Sequence, residues 1–368
     1  MRVALVLPGG VDRSGVDRVI PSRVWLVERL ARRHDVHVFA MRQEPEPGSW
    51  DLLGARVHNI GTARGSTLRL MTEFGTLHRE RSFDVVHAFF GWCGTSAAML
   101  GWRYRAPVVF HASGGEFVSM PDALYGMRTT ARGRAGLALA LRGAKRVTVA
   151  SRFMQQLAES HGAHADVVPL GVAIDRWPSR EPRERGTARA LRLLHVGDIR
   201  PVKDQTLLVA AAGHLRDAGV QFELDVAGLD TMSGCVQSDA TTRGLGALVR
   251  WHGVLGRGEL RRLMDEADLL VVSSRHEAGP LVVLEAAIAG VPSVGTAVGH
   301  VADWAPSAAI SVPVGDARAL AHEIAALAHD EPRRLALAGE AQRRAMAMDA
   351  DYTAVTFERI YDEVQSER

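Results

Sequence analysis

The chain has 368 residues, 47% of them hydrophobic and 23% charged, enough apolar material for two ordinary globular domains. Lys and Arg number 44 and Asp and Glu 42, a net charge of +2, which argues against a chain that lives on nucleic acid. Two cysteines, Cys93 and Cys235, exclude a disulfide framework and offer no paired zinc ligands.

The first predicted element is a strand over 2–8. Its apolar run Val3-Ala4-Leu5-Val6-Leu7 is too short for the core of an export signal. No later run reaches the roughly 20 apolar residues that a membrane span needs, so the expectation is a cytoplasmic protein that touches at most the inner face of a membrane. An unbroken apolar run of this length reads as a parallel strand buried on both faces. Further strands are expected at 34–41, 55–61, 84–90, 106–113, 146–151 and 165–171. In the second half they are expected at 191–198, 222–228, 248–254, 269–274, 292–297 and 308–313. Helical patterns lie between them, at 24–33 and 260–268 for example. Alternating β and α over this length predicts a doubly wound α/β fold. The stretch 176–190 holds Pro178, Pro182 and many charges without periodicity and reads as a linker. It separates domains over 1–175 and 191–344, and a last helix over about 345–368 has no strand after it. Two such halves facing a central cleft would present strand C-termini and helix N-termini to a ligand.

After the first strand comes Pro8-Gly9-Gly10-Val11-Asp12-Arg13-Ser14-Gly15-Val16-Asp17. The glycines have the spacing of a phosphate loop, but Val16-Asp17 stands where Lys-Ser/Thr is required, so a P-loop ATPase is excluded. No G-x-G-x-x-G is present, which weighs against a dinucleotide oxidoreductase. Gly10 and Gly15 are therefore either a plain strand-to-helix turn or part of a ligand loop. His87 ends a predicted strand and is structural or ligand-lining. His111 also ends one, before Ala112-Ser113-Gly114-Gly115-Glu116, and is expected to face the cleft. The segment 126–146 carries Arg128, Arg132, Arg134, Arg142, Lys145 and Arg146 around Leu137–Leu141. It is a solvated helix with one core face, or a basic face that docks on anionic lipid.

The richest string is Ser273-Ser274-Arg275-His276-Glu277-Ala278-Gly279-Pro280-Leu281-Val282-Val283-Leu284-Glu285-Ala286, directly after a predicted strand. Gly279-Pro280 places Glu277 in a loop and starts a helix at about Leu281. Unpaired amides around Gly279, Leu281 and Val282 would then form an anion site suited to a diphosphate. One turn in, Glu285 can accept hydrogen bonds from two adjacent hydroxyls, as a ribose diol offers, and Glu277 can meet a second hydroxylated group. A helix start with two ordinary acids is the plainer alternative.

Glu277 to Glu285 resembles the E-x7-E motif of retaining GT-B glycosyltransferases, especially glycosyltransferase family 4. The resemblance covers nearly the whole chain. It implies two Rossmann-like domains, a donor domain at 191–344 and an acceptor domain at 1–175, with the last helix returning to the first. It implies that Glu277 lies near the donor sugar, that Glu285 binds the nucleotide ribose, and that the backbone of Gly279, Pro280, Leu281 and Val282 holds the phosphates. His195-Val196-Gly197-Asp198-Ile199-Arg200-Pro201-Val202-Lys203 is similar to the segment that opens the family's donor domain, where an Arg and a Lys neutralise the departing diphosphate. Lys203 matches the Lys, Asp198 stands at the usual Arg, and Arg200 is offered instead. Solvated helix-start charges are the alternative for Arg200 and Lys203.

The turn around Val254, in Trp251-His252-Gly253-Val254-Leu255-Gly256, resembles the family turn at the nucleobase, and Val298-Gly299-His300 the glycine turn facing the donor, with His300 itself read as a surface residue. His111 looks like the family histidine near the reacting carbon, Gly15 matches the glycine loop near donor phosphates, and Gly10 and Glu116 are acceptor-side candidates. The implied activity is metal-independent, cofactor-free sugar transfer from a nucleotide-diphosphate sugar, of UDP or GDP type, to a glycan, lipid-linked or small-molecule hydroxyl, with retention. A nucleotide-sugar 2-epimerase of the same fold and a non-catalytic sugar-nucleotide-binding subunit stay open, the latter because of Asp198.

Overall fold

The computed structural model describes residues 1–63, 65–186 and 189–367. The chain forms two compact α/β units, Met1–Ala173 with Met348–Arg368, and Ile174–Ala347.

The first unit contains β1 (Arg2–Leu7), β2 (Asp35–Ala40), β3 (Gly48–Leu52), β4 (Ala55–Asn59), β5 (Val85–Phe89), β6 (Val108–Ala112), β7 (Arg146–Val149) and β8 (Asp166–Val167). Their order in the sheet is β3-β4-β2-β1-β5-β6-β7-β8, parallel except for the β3–β4 pair. β1 explains its own composition. Val3, Leu5 and Leu7 enter a core shared with Phe357, Ile360 and Tyr361 of the helix Ala350–Ser366. Ala4 and Val6 enter a second core on the other face, with Phe74 and Leu100. A strand covered on both sides has no position for a polar residue, hence the unbroken apolar run.

β3 is absent from the sequence-based expectation. It pairs with β4 through a two-residue turn, Leu53 at φ 51° and Gly54 at φ 89°. Both residues take the left-handed conformation that matches strand twist in a tight hairpin. Inward Trp50 and Leu52 alternating with exposed neighbours are the trace it leaves in the sequence.

The second unit contains β9 (Leu191–Val196), β10 (Phe222–Ala227), β11 (Val249–Gly253), β12 (Leu269–Val272), β13 (Ser293–Thr296) and β14 (Ala309–Val312). All neighbours are parallel, in the order β11-β10-β9-β12-β13-β14. Strand order reverses between β9 and β12. The loops leaving these two strands flank the place where open α/β sheets take ligands.

The segment expected as a linker behaves differently. Residues 176–186 belong to the second unit and are strapped to it. Trp177 is buried and donates its Nε1–H to the Glu285 carbonyl (2.9 Å). The Arg180 amide donates to Ile288 O (3.0 Å), and the Arg180 carbonyl accepts from Gln342 Nε2 (2.6 Å). Arg334 Nη2 holds Arg183 O (2.6 Å). Composition alone describes a linker; the fixed partners lie far away in the chain. Thr187 and Ala188, also in that stretch, lie outside the described residues.

The chain returns to the first unit after the helix Glu331–Ala347. Asp349 caps the helix Ala350–Ser366 by accepting the Tyr352 amide (2.8 Å). Gly171 is required there, since a Cβ would sit 2.1 Å from Met348 O. Among the described residues no helix is long and apolar enough to cross a membrane.

Candidate functional site

The loop 273–280 leaves β12 beside the loop that leaves β9, and buried polar groups stitch the two together. Ser273 Oγ donates to Lys203 O (2.8 Å), and the Arg275 amide donates to Val202 O (2.8 Å). Thr296 Oγ1, at the end of β13, donates to Ser274 O (2.5 Å). This framework sets Lys203 against Glu277, Nζ to Oε1 at 2.5 Å, and Ser274 Oγ donates to the same oxygen at 2.7 Å. Ser274 was part of the string singled out by sequence, but nothing in it marked Ser274 as the residue that aims Glu277.

Pro280 is the residue before the helix Leu281–Ile288. The proline ring presets its φ and the chain turns there into the helix. The amides of Gly279, Leu281 and Val282 make no hydrogen bond among the described residues. Four such amides open every helix, and here those of Leu281 and Val282 head it, with Gly279 in the turn before. Gly299, at φ +49°, packs directly on this turn. A Cβ there would lie 2.7 Å from Pro280 Cδ and 3.2 Å from Glu277 O. Gly299→Ala is therefore expected to cost at least about 1–2 kcal/mol from backbone strain alone and to displace Glu277, read as a fall in melting temperature.

Glu285, one turn into the helix, is buried. Burial pushes its carboxyl up to about 7, with the Arg257 guanidinium opposing the shift. Arg257 follows Gly256 at the start of the helix Arg257–Glu266, and no sequence pattern marked it. His195, at the end of β9, is buried and held near 4 by desolvation, so it is neutral. Its Nδ1 donates to Val271 O (2.9 Å), and its Nε2 accepts from Gln205 Nε2 (3.1 Å). The Gln205 amide also donates to Asp198 O (3.0 Å), which fixes the turn in front of Lys203.

Asp198 has a role of its own. Its Oδ1 accepts the Leu229 amide (3.0 Å), tying the loop after β9 to the loop after β10. The acid is engaged by the backbone. Arg200 is exposed, and its guanidinium has no partner among the described residues. Val254, just past β11, is 72% exposed. His300, read as a surface residue, is buried against Trp304 with ring centroids 5.7 Å apart. The short helix Gly299–Trp304 folds it inward.

The first unit revises several expectations. His111 lies near the end of β6 as expected, but it is fully buried, not facing open space. Its ring packs on Phe89 and Phe357 (centroids 5.2 and 5.7 Å), and its Nδ1 pairs with Thr148 Oγ1 (2.9 Å). Desolvation lowers it to about 3. The helix Ala350–Ser366 covers that face of the sheet, and strand position alone does not reveal the cover. His87 is buried on the same face and pairs through Nδ1 with the Tyr361 hydroxyl (2.6 Å).

Glu116 is buried as well. Its Oε1 accepts the Gly91 amide (3.0 Å) and its Oε2 the Gly114 amide (2.7 Å), so it braces two loops in place of offering an open carboxylate. The Gly10 amide is occupied by Gln43 Oε1 (2.7 Å), which also takes the Val11 amide (2.9 Å). The Gly15 amide closes a turn on Asp12 O (2.9 Å). In the basic segment, the helix Ala131–Gly143 buries Leu137 and Ala140 and leaves Arg132, Arg134 and Arg142 exposed, while Arg146 pairs with Glu367.

Comparison with known proteins matches residues 181–344 to a family described as "Glycosyl transferases group 1" and residues 21–171 to a "Glycosyl transferase 4-like domain". The chain is 28% identical to D-inositol 3-phosphate glycosyltransferase 1 of Catenulispora acidiphila, over 93% of this chain and 88% of that protein. It is 34% identical to the D-inositol 3-phosphate glycosyltransferase of an Arthrobacter species, but over only 37% of this chain and 34% of that protein. Among solved structures, sucrose-phosphate synthase from Thermosynechococcus elongatus superposes with a TM-score of 0.83 at 18% identity, covering 100% of both chains. Anabaena HepE in complex with UDP-glucose superposes with a TM-score of 0.77 at 17% identity, covering 99% of this chain and 100% of that one. These likenesses establish the GT-B fold.

Proposed function

Since the chain belongs to the group 1 glycosyl transferases, we propose that it is a retaining enzyme that moves a sugar from a nucleotide-diphosphate sugar to an acceptor hydroxyl. The observation that carries this reading is that Glu277, the open amides of Gly279, Leu281 and Val282, and buried Glu285 follow one another along the loop and helix after β12, with Lys203, from the loop after β9, set against Glu277. In this reading the second unit holds the donor. The amides and Lys203 meet the diphosphate, with Arg200 as a screened outer cation, and Glu285 receives the ribose diol. Val254 borders the base, and Glu277 stands at the sugar. HepE, which shares the fold, was captured with UDP-glucose, and this supports a UDP-type donor here.

As the bond between the anomeric carbon and the phosphate oxygen breaks, negative charge collects on the diphosphate. Lys203 and the helix amides are fixed where that charge develops, so they stabilise the departing group without a metal. The acceptor oxygen bonds to the same face of the sugar, and its proton leaves with the diphosphate oxygen. Lys203 is held by Glu277 at rest, so it is in place before the donor arrives. The exposed Arg132, Arg134 and Arg142 face supports contact with anionic lipid. Cosedimentation with phosphatidylglycerol vesicles, lost when these three are changed to Gln, tests that part.

Glu285 supplies the test of the donor site. Its ionised form accepts both ribose hydroxyls, and its protonated form accepts fewer. UDP affinity is therefore expected to rise as pH rises through about 7 and to be weaker and flat with pH in Glu285→Gln, by about 10–100-fold at pH 8. Stability moves the opposite way. Below about pH 4.5 the carboxyl is protonated in both the folded and unfolded chain. Between 4.5 and about 7 only the unfolded chain has lost the proton, so stability falls as pH rises through this window. Glu285→Gln is expected to recover up to about 3 kcal/mol at pH 8 and nothing below pH 4.5. A variant that binds UDP like the wild type at every pH would sink the ribose assignment. Calorimetric titration with UDP, GDP and ADP ranks the base.

A further inference from the structure

We propose that the first unit carries an anion subsite centred on Arg23, and that it takes the phosphate monoester or carboxylate of a hydroxylated acceptor. The word acceptor rests on the glycosyltransferase reading above; the anion site itself rests on the first unit alone.

Arg23 lies in the first turn of the helix Pro21–Ala31, which follows the glycine loop after β1. It is only 6% exposed. Nη1 donates to Gly9 O (2.6 Å), and the guanidinium carbon stands 4.9 Å from the centre of the Phe90 ring. An arginine has five N–H donors, and no carboxylate meets any of them among the described residues. Burial lowers its pKa to about 10, so it stays charged at neutral pH. A buried charge without an opposite partner is costly in a folded protein, and an anionic ligand would supply that partner.

The acids nearby are already engaged. Both oxygens of Glu116 are taken by backbone amides. Asp12 is paired with Arg18 and with the Ser14 amide. A second cation, Arg42, leaves β2 at the same end of the sheet. Its guanidinium carbon lies 4.5 Å from the Trp92 ring centre, and it too has no acidic partner among the described residues. Gly10 lets the loop backbone pack closely on Arg23, since a Cβ there would stand 3.0 Å from Nη1 and 2.9 Å from Ile20 Cγ1.

The location fits a ligand. The loops carrying Gly9, Arg42 and Phe90 leave the C-terminal ends of β1, β2 and β5, and strand order in this sheet reverses between β1 and β5. The planar guanidinium matches the two oxygens of a carboxylate or phosphate.

The test uses the full chain, isotopically labelled, with the Arg23 Nε–H resonance identified by its loss in Arg23→Gln. Inorganic phosphate, acetate and, as a salt control, chloride are titrated separately, with and without saturating UDP. Saturable shifts with phosphate or acetate but not chloride, unaffected by UDP, are expected; which anion binds more tightly separates the two acceptor chemistries. Arg42→Gln, an exposed change that leaves the fold intact, is expected to weaken binding several-fold. Equal response to chloride, no saturation up to the solubility of the salts, or an unchanged titration in Arg42→Gln overturns the subsite. Displacement by UDP overturns its acceptor role and gives Arg23 to the donor phosphates. Failure of the wild type to bind any nucleotide counts against the donor reading only, because the anion titration is read without it.

Discussion

Lys203→Met is expected to lower the turnover of sugar transfer by about 10²–10³-fold, the loss found when one fixed donor to a developing negative charge is removed. Lys203 meets Glu277 at 2.5 Å and is only partly exposed, so its charge acts at short range in a poorly screened setting. The effect should fall mainly on kcat, because free UDP keeps the helix amides and Glu285. Arg200→Gln serves as the contrast. Arg200 is exposed, water and salt screen it, and its loss should cost far less. Turnover in Lys203→Met within about threefold of the wild type would remove Lys203 from the proposed chemistry.

The largest effect on stability is expected at Phe357. Phe357→Ala should destabilise the protein by about 3–5 kcal/mol, the usual cost of emptying a fully buried aromatic site. Its ring is completely buried and contacts His87, Phe89, His111 and Tyr361. A cavity there also loosens the cover over two neutral imidazoles. The denaturation midpoint measures the loss. Stabilisation by added UDP should persist, because Phe357 and the donor residues belong to different units. A loss under 1 kcal/mol would mean that the helix Ala350–Ser366 contributes little to the first core.

The alternation of strands and helices was legible because both-face burial writes an unmistakable apolar run, as β1 does. The strand–loop–helix of Glu277 to Glu285 was legible because glycine, proline and acids at fixed spacing constrain the backbone. Partner choice was not legible. Gln43 taking the Gly10 amide, Glu116 bracing Gly91, and Asp198 holding Leu229 are contacts between residues distant in sequence. For His111 the strand end was visible, but the face was not. A helix near the other end of the chain covers it, and strand position carries no record of that. β3 escaped for a different reason. Its five residues hold only two inward side chains, too few to register as a pattern.

The return of Ala350–Ser366 to the first core also bears on how the chain is made. A ribosome delivers Met1–Ala173 first and the whole of Ile174–Ala347 next, and only then the residues that seal His87, Phe89 and His111. At about 5–20 residues per second, the second unit has all its strands, the last ending at Val312, several seconds before the helix Ala350–Ser366 is complete and the first can close. Synthesis thus proceeds from the N-terminus while completion of the fold runs in the reverse order. During that interval the nascent first unit shows an apolar sheet face to its surroundings, and there a chaperone would be of most use.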